Sequence, residues 1–198
     1  MILEGIVTTV SPKGDVNIAP MGPQVGPKME RFTLKPFRTA QTYRNLLAHG
    51  EGVLHVTDDV LLFARTAVGR LDPLPSLTPA ARVRGFVLQG ACHYYEFRVT
   101  AVDDTEMRAR LECEIVHRGR FRDFFGFNRA KHAVVEACIL ATRIHVIPQA
   151  EIESEFQRLR VLVDKTGGPA EHEAFAFLAD FVATTAADST SRQALGKP

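Results

Sequence analysis

Gly126-Phe127-Asn128-Arg129-Ala130-Lys131-His132-Ala133-Val134-Val135-Glu136-Ala137 is where the chain changes its period. Upstream of it apolar residues recur at about every second position, and from it onward at about every 3.6, so strands give way to helices. Asn128 is a good N-cap, and the spacing predicts a helix from there to about His145, with Ala130, Val134, Ala137, Ala141 and Ile144 in one stripe. Val135, Ile139 and Leu140 widen the stripe until the helix is expected to be nearly surrounded by protein. Glu136 on such a helix is expensive unless paired, and Arg129, His132 and Arg143 are the candidate partners for a structural ion pair. Pro148 opens a second helix carrying Ile152, Phe156, Leu159 and Val163, and Gly167-Gly168-Pro169 separates it from a third carrying Phe175, Leu178 and Val182. Residues 127–186 therefore read as a three-helix unit, and 187–198, rich in Ser, Thr and Lys, as an unstructured tail.

Working toward the N-terminus, residues 1–126 read as mainly β. A strand over 2–10 meets the turn formers Ser11-Pro12-Lys13-Gly14-Asp15. A second strand, Val16 to Ala19, breaks at Pro20-Met21-Gly22-Pro23, and 22–28 read as a linker. Arg31 to Lys35 alternate as a third strand. Thr39 stands as N-cap of a helix ending at Gly50, residues 52–57 form a fourth strand, 59–69 a short helix and 71–81 a loop. Two long strands, 86–102 and 105–118, complete a set of six and fit a hairpin closing a small barrel.

Composition bounds the function. The 198 residues carry a net charge of +1, with 45% hydrophobic and 24% charged residues, as in an ordinary soluble globular protein of one or two domains. No bulk attraction to nucleic acid or membrane follows. The start of the chain does not read as a signal peptide and no run of 18 apolar residues occurs, so neither export nor a membrane span is expected. Cys92, Cys113 and Cys138 lie far apart in apolar stretches, which argues against a disulfide framework and for a reducing cytoplasm. Histidine and cysteine spacings match no metal motif, and no nucleophile elbow is present. No catalytic acid, base or nucleophile stands out.

Two stretches have the chemistry of a ligand site. Arg38, Thr39, Thr42 and Asn45 gather at a helix N-terminus, with Lys35 and Arg31 one strand back. Unpaired N–H groups, hydroxyl donors and a guanidinium there favour an anion such as a phosphate; the alternative is a plain cap with basic residues in water. Asn17-Ile18-Ala19-Pro20-Met21-Gly22 is a strand end whose backbone groups fit the polar edge of a flat heteroaromatic ring, or else an ordinary turn. Arg118 to His132 mixes arginines with phenylalanines, a pattern that also serves single-stranded nucleic acid, but the near-neutral charge counts against it. Contact with the barrel, a cofactor or a partner subunit is the expected role of that stretch.

Glu4-Gly5-Ile6-Val7-Thr8-Thr9, Asn17-Ile18-Ala19-Pro20-Met21-Gly22, Thr42-Tyr43-Arg44-Asn45-Leu46 and Gly126-Phe127-Asn128-Arg129-Ala130-Lys131 together resemble the FMN-binding split-barrel flavoproteins, and most closely the uncharacterised domain-of-unknown-function 447 branch. The resemblance implies a six-stranded FMN-binding split β-barrel with a C-terminal three-helix unit, dimerising as a homodimer with FMN near the subunit interface. It places Asn17, Pro20, Met21 and Gly22 against the flavin ring and Arg38, Thr39, Thr42 and Asn45 around the phosphate, with His55 and the end of its strand bordering the site. It also implies a flavin-dependent oxidoreductase of unknown substrate, with NADH or NADPH binding transiently over the flavin since no G-x-G-x-x-G motif occurs. The alternatives are a non-catalytic flavin carrier or sensor, and a pterin- or nucleotide-binding enzyme using the same pocket.

Overall fold

The computed structural model describes the backbone of residues 1–195 and side chains through residue 186. In chain order the strands and helices are β1 (Gly5–Val10), β2 (Val16–Met21), β3 (Gln24–Val25), β4 (Arg31–Leu34), α1 (Gln41–His49), β5 (Glu51–Val56), α2 (Val60–Ala67), β6 (Leu77–Pro79), β7 (Phe86–Leu88), β8 (His93–Asp103), β9 (Arg110–Arg120), α3 (Arg129–Ala141), α4 (Gln149–Thr166) and α5 (Pro169–Leu195). The chain forms two compact units. One comprises Met1–Asp58 and Pro73–Phe125, the other Asp59–Asp72 and Gly126 onward. Residues 59–72 group with the second unit because α2 buries Val60, Phe63 and Ala64 and packs against α3 and α5.

The first unit is one antiparallel sheet of seven strands, ordered β2-β1-β5-β8-β9-β4-β3, with a separate β6-β7 hairpin. Six strands were expected. The seventh, β3, comes from the stretch read as a linker, where Pro23 and Pro27 confine pairing to two residues. The expected strand over 86–102 is two strands, parted by a turn in which Ala91 N–H donates to the Leu88 carbonyl. The sheet curls until its β3 edge meets the residues ahead of β1: Ile2 bridges Gln24, and Leu3 N–H donates to the Pro23 carbonyl at 3.0 Å. Inside the curl Val7, Phe32, Leu34, Leu54, Phe97 and Leu111 form the core with Tyr43 and Leu46 of α1, and the Phe32 and Phe97 rings meet edge to face at 5.1 Å.

Gly52 marks where the sheet is tightest. A Cβ there would lie 2.8 Å from Cζ of Phe97, its register partner, and 3.0 Å from the Thr8 carbonyl oxygen on the neighbouring strand. The backbone oxygen cannot swing aside, so Gly52→Ala is expected to destabilise the fold by about 2 kcal/mol, an overpacking cost. A urea midpoint unchanged from wild type would contradict this.

In the second unit Asn128 Oδ1 accepts the Lys131 N–H at 3.1 Å, capping α3, while its Nδ2 donates to the Thr166 carbonyl at 3.0 Å at the end of α4. Helix α3 packs against α4 and α5, with its small residues Ala130, Ala133, Ala137 and Ala141 buried and Ile152, Phe156, Phe175 and Leu178 buried on the other two helices. That helix ends at Ala141 rather than His145. Glu136 is exposed, so the expected buried ion pair does not involve it. A carboxylate that is both buried and paired is Glu171, which accepts from Lys131 Nζ at 2.7 Å and from the Gly168 N–H at 2.8 Å. Those two donors hold its pKa below the usual range against the opposing effect of burial. Helix α5 runs on to Leu195, into the stretch expected to be an unstructured tail, of which residues 196–198 lie outside the described residues. No helix among the described residues is long and apolar enough to cross a membrane.

Candidate functional site

Helix α1 begins without a side-chain cap. Its N-cap is Ala40, not Thr39, with extended torsions (φ −75°, ψ 147°), so the first N–H groups of the helix are left for another partner. Thr39 is exposed instead, and its carbonyl is tied back by Arg44 Nη1 at 2.6 Å. The preceding turn is pinned to the β8–β9 end of the sheet: Arg38 N–H donates to the Met107 carbonyl at 3.1 Å, and Phe37 bridges Arg108, whose guanidinium sits 4.2 Å above the Phe37 ring. The Arg38 side chain is exposed beside this turn. Its charge acts on Tyr43, whose phenol is pushed up mainly because it donates to Asp104 at 2.8 Å, with Arg38 pulling the other way.

Residues from both ligand stretches meet under the first turn of α1. Asn17 Nδ2 donates to Thr42 Oγ1 at 3.0 Å and to Thr9 Oγ1 at 3.4 Å, while Asn45 Nδ2 donates to Thr9 Oγ1 at 3.0 Å and Gln41 Nε2 donates to Asn45 Oδ1 at 2.6 Å. Asn45 is 0% and Thr42 2% exposed, so these side chains mainly fix α1 against β1 and β2. Thr42 Oγ1 spends a lone pair on Asn17, leaving its hydroxyl proton to donate. Gln41 and Thr9 also belong to this network, and the four-residue spacing of Gln41 and Asn45 on one helix face is the sequence signal for the first of them.

The remaining ring candidates lie farther along β2. Pro20 and Met21 are half-buried opposite Ile6 and Gly5, and Gly22 is exposed just beyond the strand. Because β2 is the outer strand of the sheet, Pro20 costs no ladder bond, and backbone groups on the outer edge of β2 face away from β1. His55 does not join this cluster. Its ring is 0% exposed, its Nδ1 lies 3.1 Å from the Ile6 carbonyl, and its Nε2 accepts the Leu88 N–H at 3.0 Å. That acceptor role assigns the proton to Nδ1, so the imidazole is spent inside the protein and offers nothing to a ligand. Burial pushes its pKa down to about 4.

All three cysteines are free and buried, and burial pushes Cys113 and Cys138 up to about 12. Among the described residues no three His, Cys, Asp or Glu side chains converge as a metal site would require.

The fold recurs in proteins of known structure. An FMN-bound DUF447 protein from Methanosarcina mazei superposes with a TM-score of 0.79 at 23% identity, covering 91% of this chain and 94% of that one. The styrene monooxygenase flavin reductase of Pseudomonas putida S12 is similar over 60% of this chain and 80% of that one, with a TM-score of 0.52 and 14% identity. A Streptomyces globisporus NADH:FAD oxidoreductase follows at 0.51 and 12%, over 60% and 70%. At these identities the likeness is one of fold. Residues 3–122 match the N-terminal domain of the proteins of unknown function DUF447 and residues 128–180 match its C-terminal companion, so the chain belongs to the DUF447 family.

Proposed function

We propose that this chain binds FMN, with the phosphate at the uncapped start of α1 and the flavin ring along β2, in a split-barrel flavoprotein that acts as an oxidoreductase. The observation that carries the reading is the hydrogen bond from Asn17 to Thr42, which ties the ring-side strand directly to the phosphate-side helix, beside Thr9 Oγ1, which accepts from both Asn17 and buried Asn45. A dianion gains from the helix N-terminus and from exposed Arg38, and the Thr42 hydroxyl has a proton to donate. The outer edge of β2 supplies backbone groups suited to a heteroaromatic edge. The FMN-bound relative and the flavin reductases of this fold add support.

Flavin, when bound, supplies hydride and single-electron chemistry; the chain's own residues orient it and bias its charge. Arg38 and the α1 N–H groups hold the phosphate, while Asn17, Pro20, Met21 and Gly22 form the wall for the ring. The proposal includes a homodimer, transient binding of NADH or NADPH, and a cytoplasmic setting, which three free buried thiols support.

Isothermal titration of flavin-free protein tests it. FMN is expected to bind, and Arg38→Ala to weaken FMN by about tenfold or more, the worth of one charge-assisted bond, while changing riboflavin less than twofold. Equal loss for both ligands would refute the phosphate assignment. No heat and no retained yellow colour with FMN would remove the flavin reading altogether. Anaerobic addition of NADH or NADPH to the FMN-loaded protein should bleach the flavin; FMN held tightly without bleaching by either would mark a carrier.

A further inference from the structure

A cavity of about 590 Å³ opens at the end of the first unit between residues of β3, β5 and β8, and none of the residues that the proposed function assigns to the flavin lines it. Its walls include Leu3, Val25, Met29 and Val56, all apolar, together with His93 and Tyr95. Three features set it apart from a packing defect. Its volume is that of a small-molecule site, about twenty times or more the space a water needs. His93 and Tyr95 are two residues apart on β8, so both side chains project from one face of the sheet, and neither the imidazole nor the hydroxyl has a hydrogen-bond partner among the described residues. The third feature is Met29, the one non-glycine residue with positive φ, 47°, among the described residues. A bulky side chain in the left-handed region costs about 1–2 kcal/mol. It is held there by its N–H to the Gly26 carbonyl at 3.2 Å and by Arg118 Nη2, which donates to its carbonyl at 2.8 Å. The strained turn keeps a methionine on the cavity wall where glycine would satisfy the backbone better.

We propose that this cavity is a second ligand site, distinct from the flavin site, for a small planar aromatic molecule with one hydrogen-bonding substituent. The apolar walls and the polarisable Met29 thioether take the ring faces, and Tyr95 with His93 takes the polar edge. Each tip can donate or accept, so the class includes phenols and aromatic carbonyl compounds.

The test is titration with 2-naphthol, followed by methyl and aromatic NMR signals, on the full chain with and without FMN. Shifts are expected at Leu3, Val25, Met29, Val56 and Tyr95, with saturation at submillimolar probe. Tyr95→Phe, which keeps the ring, is expected to weaken 2-naphthol about tenfold, by the loss of a hydrogen bond in an apolar site, and to change naphthalene less than twofold. Met29→Gly should keep the urea midpoint at or above wild type while weakening both probes at least threefold. Prior saturation with FMN should leave the 2-naphthol affinity within twofold. Absence of shifts up to the solubility limit, shifts centred on other residues, or equal loss of both probes in Tyr95→Phe overturns the proposal. Displacement of 2-naphthol by FMN overturns it too, since the cavity would then be the flavin ring's own. None of these outcomes depends on the assignment at Arg38.

Discussion

Glu96→Ala is expected to lower the stability of the protein by about 3 kcal/mol, the worth of two charge-assisted hydrogen bonds less what water recovers. Glu96 is 0% exposed, yet it lies on β8 in a run, His93-Tyr94-Tyr95-Glu96-Phe97, with nothing to announce a buried charge. Its two oxygens accept the backbone N–H groups of Ala81 at 2.8 Å and Arg82 at 2.6 Å. Successive N–H groups turned toward one carboxylate form an anion nest, built here from the loop between β6 and β7. Glu51, one strand away, holds the same loop by a different pair of donors, the Arg84 N–H at 2.7 Å and the Arg98 side-chain Nε at 2.9 Å. With Glu96 truncated, the loop loses its anchor and two part-buried donors lose their partner. For a chain of this length the melting temperature should fall by about 10 °C. Glu96→Gln should recover less than half of the loss, because an amide oxygen replaces only one of the two acceptors. A Glu96→Ala protein melting within 2 °C of wild type, about half a kcal/mol, would sink the assignment.

Acidification should destabilise the protein before its carboxylates are titrated, and His55 is the reason. The folded imidazole has its pKa pushed down to about 4 by burial, against an ordinary value of 6.5, and the bond to the Ile6 carbonyl recovers only part of that. Below pH 6.5 the unfolded chain takes up a proton that the folded chain refuses, since Nε2 is already committed to the Leu88 N–H. The stabilising contribution is therefore complete above about pH 6.5 and is lost as pH falls toward 4, to a total of about 3 kcal/mol. Urea unfolding at pH 7.5 and 4.5 should differ by about 2–3 kcal/mol in wild type. In His55→Gln, less stable overall, that difference should shrink by at least half. A variant with the wild-type pH slope would place the titrating group elsewhere.

The legible parts of this fold were those written in local pattern. Thr8, Thr9 and Val10 before a Pro-Gly turn, the alternation of Arg31 to Lys35, and Asn128 ahead of an apolar helix each name their element from a handful of neighbours. What escaped is set by distant partners. Gln24-Val25 becomes a strand only because Phe32 and Thr33 on one side and Met1 and Ile2 on the other lie beside it. The helix at Val60–Ala67 was visible, but its membership of the second unit depends on α3 and α5, which follow more than sixty residues later. At the candidate site, Asn17, Thr42 and Asn45 could be named from residue type and position, whereas their mutual contact spans 25 residues and more and was not readable. His55 is the opposite case. A histidine near a strand end looks functional until its two backbone partners, 49 and 33 residues away, are known.

The membership of α2 bears on how the chain is made. A ribosome releases Val60–Ala67 before β8 and β9 exist and long before α5, so this helix waits, with Val60, Phe63 and Ala64 uncovered, until α3 and α5 have been made. Shortening the gene at the apparent border after Phe125 would strand that apolar face permanently, and expressing the remainder alone would leave a socket with no plug.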